Sequence, residues 1–109
     1  MIEFNYYEDI PTNFTGVCKV TIIGNIYHVK NGEIHNENGP AVIYSDGSKR
    51  WYINNLEHRE DGPSAEHSNG QKDWLYKNTC YGENEDFTIE TWIEKVEQLK
   101  RKEEFEIFK

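Results

Sequence analysis

The chain has 109 residues, 12 basic against 20 acidic for a net charge of -8, with 36% apolar residues and a mean hydropathy of -0.90. That length holds one domain with a thin core, and three Trp, seven Tyr and five Phe exclude the composition of a disordered chain. The net charge repels nucleic-acid phosphate and anionic membranes unless a local basic patch overrides it.

In sequence no such patch is present, because the densest basic run, Lys100-Arg101-Lys102, lies among acidic residues. The expectation is no direct nucleic-acid or membrane contact. An acidic surface could take a protein partner, one that is basic or itself nucleic-acid-binding; plain solubility is the alternative. The opening stretch MIEFNYYEDIP has no basic region ahead of an apolar one. Nowhere is there an apolar run near the ~20 residues of a membrane helix, so a cytoplasmic protein is expected. Cys18 and Cys80 fit neither a disulfide framework nor a metal spacing, which predicts reduced thiols.

From residue 14 onward the chain repeats. Residues 28–50 laid over 51–73 share Asn31/Asn54, His35/His58, Glu37/Glu60, Gly39/Gly62, Pro40/Pro63, Ser45/Ser68, Gly47/Gly70 and Lys49/Lys72. Decayed copies flank them, giving units of about 14–27, 28–50, 51–73 and 74–84. β-Prone runs at 17–23, 25–30, 41–44, 49–53, 64–67 and 73–77 alternate with Asn-Gly and Asp-Gly dipeptides, which supply the positive φ of tight turns. Each unit therefore reads as one hairpin turning at Ser45-Asp46-Gly47-Ser48 or its equivalent, followed by a return loop. Stacked hairpins predict a mainly β fold: an elongated antiparallel sheet over residues 1–84.

The return loop HREDGP, residues 58–63, looks like a catalytic loop, but its recurrence at 35–40 points to architecture. Equivalent histidines two strands apart would be roughly 9.5 Å from each other, too far to share a zinc ion that binds imidazole at ~2.0–2.1 Å. A kinase-type His-Arg-Asp loop would need a phosphate loop and further ligands that the sequence lacks. No cofactor, metal or catalytic residue is expected.

Past Asp86 the period becomes helical. Thr88 is the expected N-cap, Phe87 and Trp92 the expected hydrophobic staple, and Ile89, Trp92, Ile93, Val96 and Leu99 the apolar face. Glu97 and Arg101 are spaced as an i,i+4 pair. Residues 85–109 are thus a C-terminal amphipathic helix and tail that cap the last hairpin or lie on one sheet face. The tail 104–108 alternates like a strand and either docks or presents an apolar hook. The column Val29/Tyr52/Leu75 is the expected seat of the helix. Trp51 and Trp74 then line the open face with Arg50 and Tyr76, beside the loop charges Arg59, Glu60 and Asp61. These seven residues form the candidate partner-binding surface; the alternative is a second small core.

The pattern Trp-Tyr-x-Asn-x-x-x-His-Arg-x-Asp-Gly-Pro, residues 51–63 after Ser-Asp-Gly-Ser-Lys, resembles short repeat proteins of bacteriophages and bacteria whose unit is similar to the MORN repeat. It departs from them at Asn55, where the pattern has glycine, and at Asn36, where it has arginine. The resemblance implies a scaffold or binding module without catalytic residues, of an inhibitor or antitoxin-like kind. Two other functions compete with it: a structural module that self-associates through sheet edges, and a MORN-like membrane-surface protein, which the net charge opposes.

Overall fold

The structure, a computed structural model, describes residues 1–107 and is mainly β with one C-terminal helix. The strands are β1 (Ile2–Phe4), β2 (Gly16–Val20), β3 (Asn25–Lys30), β4 (Glu33–Ile34), β5 (Val42–Ile43), β6 (Lys49–Arg50), β7 (Tyr52–Ile53), β8 (Leu56–Glu57), β9 (Ala65–Glu66), β10 (Lys72–Tyr76) and β11 (Thr79–Glu83), followed by α1 (Ile89–Ile107). The main sheet runs β1-β2-β3-β5-β6-β9-β10-β11, with β4 also on β3, while β7 and β8 form a separate two-stranded ribbon. All pairings are antiparallel except β1 with β2, a parallel edge strand with no counterpart in the sequence reading. The molecule is a slab of 44 × 36 × 19 Å. Its radius of gyration of 15.4 Å exceeds the ~13 Å of a compact 100-residue domain.

Two turns alternate along the array. The first is the expected one: the Tyr44 and His67 amides bond to Ser48 and Gln71, with Gly47 and Gly70 at φ 90° and 91°. The second was not anticipated as part of every unit. Asn54-Asn55 and Lys77-Asn78 close tight hairpins with φ of 47° and 66°, then 47° and 68°, as Asn31-Gly32 does at 50° and 77°. Both central residues at positive φ define the turn that matches strand twist. Asn-Asn and Lys-Asn lack the glycine that signals it.

The core is split between the two faces of the sheet. Cys18, Tyr27, Val42, Arg50, Ala65 and Asp73 face one another across successive pairings, and so share one side. On that side Cys18, Val20, Tyr27, Val29 and Val42 are buried beneath the N-terminal segment, whose Phe4, Ile10 and Phe14 pack on them. Trp74 and Tyr76 project to the other side, where they form a second core with Trp92 and Val96 of α1. Val29 is thus buried in the first core and Tyr52 packs against it, but the helix, expected on the Val29/Tyr52/Leu75 column, does not cover it. It covers the face opposite Leu75.

The helix start is as expected. Thr88 Oγ1 accepts from the Thr91 amide at 3.2 Å, Thr91 Oγ1 accepts from the Thr88 amide at 2.8 Å, and Phe87 meets Trp92 edge-on at 5.0 Å. Its buried stripe is narrower than predicted: Trp92 and Val96 are buried and Leu99 half-buried, whereas Ile89 and Ile93 are 53% and 39% exposed. A thin sheet end offers one line of contact, so the flanks of the predicted face stay in water. No Glu97–Arg101 ion pair occurs among the described residues. Residues 104–107 continue the helix instead of forming a strand, and Phe108 lies outside the described residues.

Candidate functional site

The recurring histidines link one unit to the next. His35 Nδ1 accepts the Asn54 amide at 3.0 Å, and His58 Nδ1 accepts the Lys77 amide at 3.0 Å, 23 residues later. In return, the side-chain carbonyls of Asn55 and Asn78 accept the amides of Ile34 and Glu57 at 2.6 and 2.7 Å. Because Nδ1 is the acceptor in each case, the neutral ring carries its proton on Nε2. That nitrogen faces Glu37 Oε1 at 3.3 Å in one unit and Glu60 Oε2 at 2.9 Å in the other. Both nitrogens of each ring are therefore engaged in holding turns and loops. Glu37 and Glu60 accept the Nε2 proton and so reinforce that tautomer.

Between the two return loops lies a groove of about 580 Å³, walled by residues 36–39 and 58–61 and floored by Trp51 and Ile53. An adjoining recess of about 370 Å³ shares Glu37, Ile53, His58 and Glu60 and adds Leu56. Arg59 lies over the Trp51 ring, its Cζ 4.0 Å from the centroid. Its guanidinium is held in place by Asp61 and Glu66, both at 2.9 Å, and by the Pro63 carbonyl at 3.1 Å. In the preceding unit Asn36 donates to the Pro40 carbonyl at 3.1 Å, so it makes the same loop closure without the stacking. The rim is acidic: the side chains of Glu37 and Asp61 are 69% and 81% exposed. Burial pushes the Glu60 carboxyl up, but bonds from Lys100 on α1 and from His58 hold it below the ordinary glutamate value.

Of the seven candidate residues, Trp51, Arg59, Glu60 and Asp61 come together in this groove. The other three do not. Trp74 is 3% exposed, its ring 5.7 Å from those of Phe87 and Trp92 and its Nε1–H donated to the Asn84 carbonyl. Tyr76, 5% exposed, packs at a tilt against His58 and donates its hydroxyl to Glu103 of α1. The tryptophan column is thus open in one unit and roofed by the helix in the next. Gly82 stands where Arg59 stands one unit earlier, and a Cβ there would meet the Phe87 ring at 2.8 Å. Phe87 and Trp92 take the arginine's place over Trp74.

Arg50 belongs to the opposite face, where a polar cluster escaped the sequence reading. Its Nη1–H donates to Glu57 Oε1 at 2.8 Å, and Ser64 Oγ–H donates to Glu57 Oε2 at 2.9 Å, with Glu57 and Ser64 both buried. A signal for it existed in the repeat. Glu57 and Ser64 replace Ile34 and Ala41 of the previous unit, so an acid and its hydroxyl partner change together. Cys18 is buried and Cys80 exposed, and neither is in a disulfide.

No family model, curated protein or solved structure matches the chain.

Proposed function

We propose that the protein is a non-enzymatic protein-binding module, a small acidic inhibitor that occludes a basic partner through the groove between its return loops. The observation that carries this reading is the composition of the groove: a Trp51–Arg59 stack, apolar Ile53 and Leu56, and exposed carboxylates on both walls. Aromatic and arginine anchors inside a polar rim are the composition of binding hot spots. The histidines that would do chemistry in such a loop are engaged by backbone amides. An anti-defence or antitoxin-like role is what the likeness to phage and bacterial repeat proteins adds. The test is affinity capture from bacterial lysate with the wild type and a Glu37→Gln/Asp61→Asn variant of unchanged circular dichroism. A single stoichiometric partner, held by the wild type and released by the variant, is expected. Equal capture by both, or none by either, would contradict the groove.

A further inference from the structure

The two linking histidines do what only a neutral imidazole can do. His35 Nδ1 accepts the Asn54 amide and His58 Nδ1 the Lys77 amide, each at 3.0 Å, while Nε2 of each ring meets a glutamate of its own loop. An imidazolium has two N–H donors and no acceptor. A second proton on either ring therefore sets donor against donor at the turn, and the amide loses its partner whichever way the ring rotates. Each histidine side chain is only 8% exposed, so the ring has to move to reach water. At the first turn the acceptor is instead Thr15 Oγ1, 2.9 Å from the Asn31 amide, a hydroxyl that takes up no proton.

The charged groups around the rings do not replace the lost acceptor. Glu60, which meets His58 Nε2, is paired with Lys100 of α1. Glu103 of α1, which also faces His58, is paired with Lys77 and accepts the Tyr76 hydroxyl. The Tyr76 ring itself lies 4.7 Å from that of His58. Arg59 and Asp61 of the same loop are bonded to each other, and Glu37 stands across the groove. Around His35 are Glu37, at Nε2, and Lys30 of β3, which lines the same hollow. These carboxylates stand at Nε2 or are held by lysines, so none makes up for the bond that Nδ1 gives up.

Both linked residues, Asn54 and Lys77, line the recess beside the groove together with Glu37, His58 and Glu60. Releasing their turns loosens that wall. Histidine is the side chain that changes charge between about pH 5 and about pH 8, above the range in which Glu60 and Glu103, both held below 4.5, take up protons. Among the described residues these two rings are the ones that accept a backbone amide, whereas His67 is tied to Asp73 at 2.7 Å.

We propose that His35 and His58 are proton-operated latches: a second proton on either ring releases the turn that it holds and loosens the recess beside the groove. The release belongs to the fold itself, and its use in letting go of a partner rests on the groove being a binding site. The experiment is amide exchange of the isotopically labelled full chain, with no partner present, between about pH 7 and about pH 5. The carbon-bound imidazole protons report ring protonation in the same samples. Protection of the Asn54 and Lys77 amides, corrected for the intrinsic effect of pH, should fall about tenfold as the rings take up the proton. Protection of Asn31 should not change. In a His35→Asn/His58→Asn variant, whose acceptor oxygens do not titrate, the fall should vanish; should that variant lose its fold, the contrast with Asn31 in the wild type decides. Full protection beside protonated rings, rings that stay neutral down to about pH 5, or an equal fall at Asn31 or in the asparagine variant would overturn the proposal. With no partner in the sample, such a failure falls on the latches and leaves the groove to the lysate capture.

Discussion

A histidine is most often suspected of chemistry when acids and a glycine surround it, and His58 shows how the same residues serve architecture. Its ring spans three parts of the molecule: the next unit's turn through the Lys77 amide, its own loop through Glu60, and the Tyr76 ring at 4.7 Å. Removing it strands a partly buried amide and opens space against Tyr76. His58→Ala is expected to lower stability by about 1–3 kcal/mol, read as a shift of the urea midpoint at constant slope. His58→Asn, whose side-chain oxygen can stand near the place of Nδ1, should recover part of the loss. Wild-type stability in His58→Ala would show that the link carries nothing. The repetition of His-x-x-x-Gly-Pro made its structural role legible in the sequence. What it bonded to was not, because the partner amide lies 19 residues ahead in a turn without glycine.

At the scale of elements, the helix is the most legible part and the most informative error. Its cap and staple follow from local sequence alone, since each contact spans only a few residues. Which sheet face it covers depends on where Phe87 and Trp92 can replace the missing arginine over Trp74, a long-range fact. Trp92, 0% exposed and bonded through Nε1 to the Arg59 carbonyl at 2.8 Å, anchors it. Trp92→Ala is expected to cost about 3–5 kcal/mol and Thr88→Ala about 1 kcal/mol in chemical denaturation; near-equal effects would contradict the anchor.

The helix contacts also set a pH window. Lys77 and Tyr76 hold the Glu103 carboxyl below the ordinary value of 4.5, although burial opposes them, and Glu60 is also held below that value. A depressed carboxylate contributes stability that is present above 4.5 and lost as pH falls through its folded value. Burial and the Glu103 bond push the Tyr76 phenol from 10.0 up to about 12. Its contribution is complete below pH 10 and lost as pH rises through about 12. Stability should therefore fall at both ends, the acid limb flattening in Glu60→Gln and Glu103→Gln and the alkaline limb in Tyr76→Phe. Unchanged profiles in these variants would show that the helix contacts do not set the window.

The whole molecule is an array bounded by the edge strands β1 and β11. At the first turn Thr15 Oγ1, in place of a histidine, accepts the Asn31 amide at 2.9 Å. At the last, β11 pairs Glu83 with Asp73, where a further unit would have added its strand. Gly32 packs so tightly against the N-terminal segment that a Cβ would meet the Thr12 carbonyl at 2.1 Å, so that closure tolerates no side chain. The two edge strands are poor templates for another copy, β1 because it has three residues and β11 because a bulge interrupts its pairing with β10, and the protein is expected to remain a monomer across a wide concentration range by light scattering; growth into dimers or filaments would favour the self-assembly alternative. The hairpin periodicity made the mainly β class readable. The split of the core between two faces was not readable, because short strands of two residues leave too little alternation to mark an inside.

The return loops are links between units, held by the His35 and His58 bonds to the next turn. Long-range nitrogen–proton NMR of the imidazoles in neutral solution tests this most directly. Both His35 and His58 should show the Nε2–H tautomer, with Nδ1 unprotonated and coupled to the Asn54 and Lys77 amides. An Nδ1–H tautomer, or rings with no coupling to those amides, would return the loops to chemistry and contradict the account.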